Sequence, residues 1–217
     1  MLLELSEVLA CPACGPPQVM VAVVHESVGH RVARGFLGCP ACNARFSIEA
    51  GVVDLIRESD EPAAPGSPGA SPPVPGPESD DEAVLVGAVL DLARGGGRVL
   101  LGPRLAGIAV AVGALAERWE VVSLVDARPA EAPGSDRISR LIVPAVGRLP
   151  LLRGRFGAAA LAGDPDADRL REVAAALAPL ARLAIVAPGA GVVSAMQEAG
   201  LEVIAADERV AVGSRPS

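Results

Sequence analysis

Four cysteines carry the most specific chemistry in this chain. They stand as Cys11-Pro12-Ala13-Cys14 and Cys39-Pro40-Ala41-Cys42, two identical tetrapeptides, and the 217 residues contain no other cysteine. A Cys-x-x-Cys turn aims two thiolates at one point, and two such turns complete the tetrahedron that zinc prefers. The gap between the pairs is wider than the usual ribbon spacing. A β-hairpin insertion absorbs it, because extending a loop costs slowly growing entropy. Two disulfides and a thioredoxin-like redox motif are the competing chemistries. Disulfides need an oxidising compartment, whereas the N-terminus lacks a basic n-region and carries Glu4 and Glu7 where a signal peptide is apolar. A redox motif needs one Cys-x-x-Cys in a βαβ context, not two in a short segment. Four thiolates leave no open coordination position, so the expected zinc is structural rather than catalytic. His25 and His30 lie between the pairs; they are an alternative ligand set, read as solvated hairpin residues because the ligand count is already met.

The elements that must hold these cysteines form a first unit over residues 1–58. Val19 to Val24 reads as a strand by β-branched enrichment, Phe46-Ser47-Ile48 alternates, Gly51 gives a turn, and Val52 to Ile56 is a closing strand. So small a unit buries too little apolar surface to fold unaided, and the metal supplies the missing energy. Residues 59–82 form a linker: seven prolines alternate with Gly and Ser, and acidic residues flank both ends. Such a segment is an extended tether.

Residues 83–217 form a second unit in which short apolar strands alternate with helices. Strands are expected at Arg98 to Leu101, Glu120 to Val125, Arg140 to Val143, Ala158 to Ala162, Leu183 to Val186, Leu201 to Ala205 and Val210 to Val212. Helices are expected at Ala83 to Arg94, Pro103 to Arg118, Asp168 to Ala178 and Val192 to Ala199. This pattern means an α/β fold with a doubly wound, mostly parallel, Rossmann-like sheet. Its strands are apolar runs, as a sheet covered on both faces requires. With no Tyr, one Trp and three Phe, the core must be built from Ala, Val and Leu.

Composition narrows the partners. Every basic residue is Arg, and the net charge of −7 disfavours sequence-independent RNA or DNA binding while leaving room for a local Arg patch. The longest apolar run, Leu105 to Ala116, is too short to span a bilayer, so a cytoplasmic protein is expected, with no membrane partner.

Residues Leu9 to Ile56 resemble the small zinc-ribbon family that includes the activator subunit of tRNA and protein methyltransferases. The same ribbon is found fused to the front of many bacterial methyltransferases. The resemblance rests on the two knuckles, on Phe46-Ser47-Ile48 and on Gly51-Val52-Val53-Asp54-Leu55, with Ser47 where the family has Pro. The second unit is similar to class I S-adenosylmethionine-dependent methyltransferases. That likeness is carried by Leu149-Pro150-Leu151 leading to Phe156-Gly157, by Ala178-Pro179-Leu180-Ala181-Arg182, and by Gln197-Glu198-Ala199-Gly200-Leu201. It implies a cofactor crevice past the carboxyl ends of the strands. Gly102, Arg104 and Gly107 in the first strand-to-helix turn would line it, with Asp126 at the end of the next strand placed for ribose hydroxyls.

Departures from that family cluster in the motifs. The first loop, Leu100-Leu101-Gly102-Pro103-Arg104, has neither the acid nor the central glycine. Gly157 replaces the acid of the Phe-Asp motif, and Ala145-Val146-Gly147 lacks the aspartate before Leu-Pro. Arg104 would face a sulfonium cation, at a cost on the order of a few kcal/mol at protein-like dielectric. There is no His, Cys, Tyr or Lys in the second unit to serve as a general base. Three readings follow. The first is a non-catalytic methyltransferase-like protein, a pseudoenzyme, whose ribbon is a docking or assembly module for a protein partner. The second is an active methyltransferase on RNA or a small molecule, with a variant cofactor loop. The third is an anion site at Arg104.

Overall fold

A computed structural model describes residues 1–56, 80–129, 136–144 and 148–217. Eleven strands form one sheet: β1 (Val21–Val28), β2 (Arg31–Gly38), β3 (Arg45–Glu49), β4 (Val52–Asp54), β5 (Gly97–Leu101), β6 (Trp119–Val125), β7 (Ile138–Ile142), β8 (Phe156–Ala162), β9 (Leu177–Val186), β10 (Glu202–Ala206) and β11 (Val210–Ser214). The helices are α1 (Asp80–Val89), α2 (Ala109–Leu115), α3 (Ala167–Ala176) and α4 (Val192–Glu198). Spatially the strands run β1-β2-β3-β4-β7-β6-β5-β8-β9-β11-β10.

From β7 to β9 the sheet is parallel; β11 then runs antiparallel to both β9 and β10. The chain winds outward from β5 through β6 to β7, then returns to β8 on the other side of β5. Strand order therefore reverses between β5 and β8, and the fold is α/β, doubly wound and Rossmann-like. Alternation along β5 shows why both faces must be covered: Val99 and Leu101 face α1 and α2, while Leu100 joins the opposite cluster with Leu170 and Val173 of α3.

The cysteine-bearing hairpins are continuous with this sheet. Strands β1 to β4 form an antiparallel meander, and β4 pairs parallel with β7, Val53 opposite Leu141. The described residues of the β6–β7 and β7–β8 connections hold no helix. The face that crossover helices would cover is instead packed by the N-terminal segment, whose 3-10 turn (Leu3–Val8) presents Leu5 and Val8. Leu5, Leu9, Phe46, Val53 and Leu55 lie in one buried cluster with Val122, Leu124 and Leu141. The amino-terminal unit thus acts as a layer of the fold.

Because Leu55 is fully buried in that shared cluster and its N–H donates to Ile142 O (2.9 Å), Leu55→Ala is expected to cost about 2–5 kcal/mol. Trp119 lies on β6, far from the substitution in the chain, and is the sole tryptophan. Urea denaturation followed by its fluorescence should show the whole loss. A midpoint unchanged from wild type would mean that the two parts unfold independently.

The structure shifts several expected boundaries. The helix expected from Pro103 is a 3-10 turn over Pro103–Ile108, and α2 begins only at Ala109. The helix expected to Ala178 ends at Ala176, because β9 starts at Leu177, opposite Phe156. The expected linker lies outside the described residues except for Asp80 to Glu82, which open α1 as its acidic first turn. Among the described residues, no helix is long and apolar enough to cross a membrane.

Candidate metal centre and cofactor crevice

Each knuckle is closed by the same backbone device. Gly15 N–H donates to Cys11 O (2.8 Å), and Asn43 N–H donates to Cys39 O (2.9 Å). Both donors sit in the left-handed region, Gly15 at φ +74° and Asn43 at φ +60°. Glycine and asparagine are the residues that tolerate this conformation. The residue after each second cysteine is therefore part of the motif, a signal present in the sequence that the Cys-x-x-Cys spacing alone does not report.

The hairpins bring all four sulfurs together. Cys11 Sγ lies 3.7 Å from Cys42 Sγ, and Cys14 Sγ lies 3.8 Å from Cys39 Sγ. All four ligand atoms fall within 4.8 Å of one another. A tetrahedral zinc with bonds of about 2.3 Å separates its sulfurs by about 3.8 Å, so the donor set and its spacing fit a four-coordinate thiophilic ion. The paired contacts are too long for S–S bonds. Electrostatics favour a cation here. Hydrogen bonding to Cys42 and burial push the Cys14 thiol up to about 12. Burial also raises Cys39, but backbone N–H groups of Cys42 and Ala41 and the neighbouring thiols outweigh it and bring it down to about 7. Without a metal, four thiolates cannot all ionise at one point; a divalent ion removes that repulsion. Cys11 and Cys39 are buried, while Cys14 and Cys42 are exposed. His25 takes no part in the cluster: its ring packs edge-on against Phe36, with centroids 5.8 Å apart.

At the switch point the picture differs. Gly102 follows β5 and Gly163 follows β8, so the crevice lies between them. A Cβ on Gly102 would stand 2.8 Å from Leu161 Cδ2. A Cβ on Gly163, at φ +72°, would overlap Nη1 of Arg104. The Arg104 side chain therefore lies across the end of β8, and Leu161 fills the space beside Gly102. The turn after β5 does not open directly into an α-helix. Pro103 has no N–H, Leu105 N–H donates to Gly102 O (2.9 Å), and the turn is 3-10. Leu100, at the position of the acid in the resemblance, is fully buried. Asp126 is exposed one residue past β6, and Gly107 is exposed within the 3-10 turn.

Asp164 was not among the expected site residues. It follows Gly163 at the end of β8, and its carboxylate accepts the Gly189 N–H (2.8 Å). The signal was a Gly-Asp-Pro turn closing an apolar strand.

Gly157 lies at the start of β8, the end away from the crevice. A Cβ there would stand 2.9 Å from the Trp119 ring, which also packs near Gly95 and Gly97 while its Nε1–H donates to Leu92 O (2.9 Å). Gly157→Asp should therefore destabilise the fold by about 1–3 kcal/mol, with a shift in Trp119 emission. Unchanged stability would refute this packing role. Residues 145–147, where the family's aspartate is absent, lie outside the described residues.

No family model and no curated protein matches the sequence. Solved structures do match. Geranyl diphosphate C-methyltransferase from Streptomyces coelicolor A3(2) is 10% identical with a TM-score of 0.51, over 62% of this chain and 80% of that one. The 1,6-didemethyltoxoflavin-N1-methyltransferase of Burkholderia thailandensis is 17% identical with a TM-score of 0.49, over 64% and 80%. The [4+2]-cyclase SpnF is 20% identical with a TM-score of 0.48, over 58% of each chain. The first of these, together with the strand order, defines the class: a Rossmann-like fold shared with S-adenosylmethionine-dependent methyltransferases, here continued by a four-cysteine β-meander. At such identities the likeness is one of fold alone.

Proposed function

We propose that this chain is a methyltransferase-fold protein that does not bind S-adenosylmethionine, with a structural zinc in its amino-terminal ribbon and a docking role for a protein partner. The observation that carries the proposal is Arg104 lying across Gly163 at the strand-order reversal. A methyl transferase works mainly by binding and orienting its cofactor, and here an exposed guanidinium crosses the end of β8 at the crevice, unfavourable for a sulfonium cation bound nearby. Buried Leu100 offers no carboxylate for the amino end of the cofactor.

Zinc is supported by the tetrathiolate spacing. A bound ion would be held by Cys11, Cys14, Cys39 and Cys42 and would lock the two knuckles together. The partner reading is supported by the outer edge of the ribbon. Among the described residues, strand β1 is the outermost strand of the sheet there, and Val21, Val23, Val24 and Val28 on it are exposed. Such an edge is a template for another strand unless something covers it. The acidic net charge favours a protein over RNA at this surface.

A second reading, an active methyltransferase with a variant loop, is favoured by the retained strand order and by Asp126 and Asp164 past the carboxyl ends of β6 and β8, the strands on either side of β5. Calorimetric titration with S-adenosylmethionine up to about 1 mM separates the two. No binding heat is the expected result; micromolar affinity would establish the second reading.

A further inference from the structure

We propose that a cleft between the first cysteine knuckle and α3 binds a small organic phosphate, with two arginines on the phosphate and an apolar floor under the organic group. The cleft measures about 960 Å³, within the range of small-molecule sites. Pro16 and Pro17 form one wall, α3 forms the other, and Leu149, Leu151 and Ala176 form a buried apolar floor.

Backbone hydrogen bonds fix its walls. Ala10 N–H donates to Pro150 O and Leu152 N–H donates to Val8 O, both at 2.9 Å, which pins the knuckle segment to residues 149–152 of the floor. The floor is in turn tied to α3, because Glu172 accepts the Leu149 N–H (2.7 Å). Rigid walls lower the ordering cost of binding.

Charge selects the ligand. Arg171 is paired with Asp168 on its own helix, leaving Arg148, Arg153 and Glu172 to set the field. Neither Arg148 nor Arg153 makes an ion pair with a carboxylate among the described residues, and Glu172 already accepts a backbone hydrogen bond. A chain of net charge −7 therefore keeps on one cleft two exposed guanidiniums outside salt-bridge distance of any carboxylate among the described residues, Arg148 packing over Gly15 with its charge acting on Glu172. Guanidinium is the side chain best matched to bidentate recognition of phosphate oxygens. The floor adds an apolar requirement that inorganic phosphate cannot meet. This site is separate from the crevice at Arg104 and does not depend on whether S-adenosylmethionine binds.

Phenyl phosphate is the probe, with inorganic phosphate and phenol as controls, titrated calorimetrically into the zinc-loaded full chain. Phenyl phosphate should bind with a Kd below about 1 mM, inorganic phosphate at least about tenfold more weakly for want of a buried ring, and phenol without measurable heat. Replacing both Arg148→Gln and Arg153→Gln should weaken phenyl phosphate at least about tenfold. Glu172→Gln keeps an acceptor for Leu149 while removing the opposing charge, and should tighten it. Arg104→Gln should leave it unchanged. Absence of phenyl phosphate binding, equal binding by the double variant, or loss of binding in Arg104→Gln would each overturn the proposal.

Discussion

Chelation of the zinc proposed for the four-cysteine site should unfold the amino-terminal meander and weaken the sheet behind it. Structural zinc in small cysteine modules contributes an apparent free energy of about 10–16 kcal/mol at neutral pH. In this chain the knuckles carry little apolar surface of their own, and the buried residues around them belong to the cluster shared with β6 and β7. Pulling the knuckles apart releases Leu9, Phe46 and Leu55 from that cluster and frees the edge of β7 now covered by β4. Even a third of the metal's contribution is a large share of a domain's stability, so the melting temperature should fall by on the order of 10 °C or more with chelator. Cys39→Ser together with Cys42→Ser should reproduce the loss without chelator, and elemental analysis should fall from one zinc per chain to none. Trp119 fluorescence reads the rear sheet directly. A chelated protein whose Trp119 transition is unmoved would show the ribbon to be an independent appendage.

The second large effect is a silence. Neither S-adenosylmethionine nor S-adenosylhomocysteine should bind at concentrations up to about 1 mM. The pair of ligands separates two causes. The homocysteine form lacks the sulfonium charge, so repulsion by Arg104 alone would leave it bound while excluding the methionine form. The structure points to more than repulsion: Leu161 packs beside Gly102, Arg104 crosses Gly163, and Leu100 is buried where a carboxylate would be needed. Arg104→Ala should therefore restore neither ligand. Binding of both by this single variant would mean that Arg104 is a removable lid over an intact pocket.

How much of this could be read from residues alone depends on the range of the interaction. The cysteine set was legible because ligand chemistry restricts residue type and spacing within each turn. The alternation of short strands and helices was legible because each element carries its own local pattern. The pairing of β4 with β7 was not, since Val53 and Leu141 meet only through the tertiary fold and neither residue type announces a partner. At Gly157 the departure from the motif was legible, but its packing reason was not. Its glycine read as a lost acid, whereas the Trp119 ring occupies the space a side chain would need. Arg104 stands out in the sequence as the cation of the first loop, but its course over Gly163 depends on the 3-10 turn that replaces a helix start after Pro103.

Native mass spectrometry of the protein as purified, without added ligand, tests the central claim most directly. The account predicts the chain mass plus one zinc ion, with all four cysteines reduced and no S-adenosyl compound retained. A co-purified S-adenosyl ligand, or a metal-free chain whose mass is lowered by the hydrogens lost to two disulfides, would contradict it.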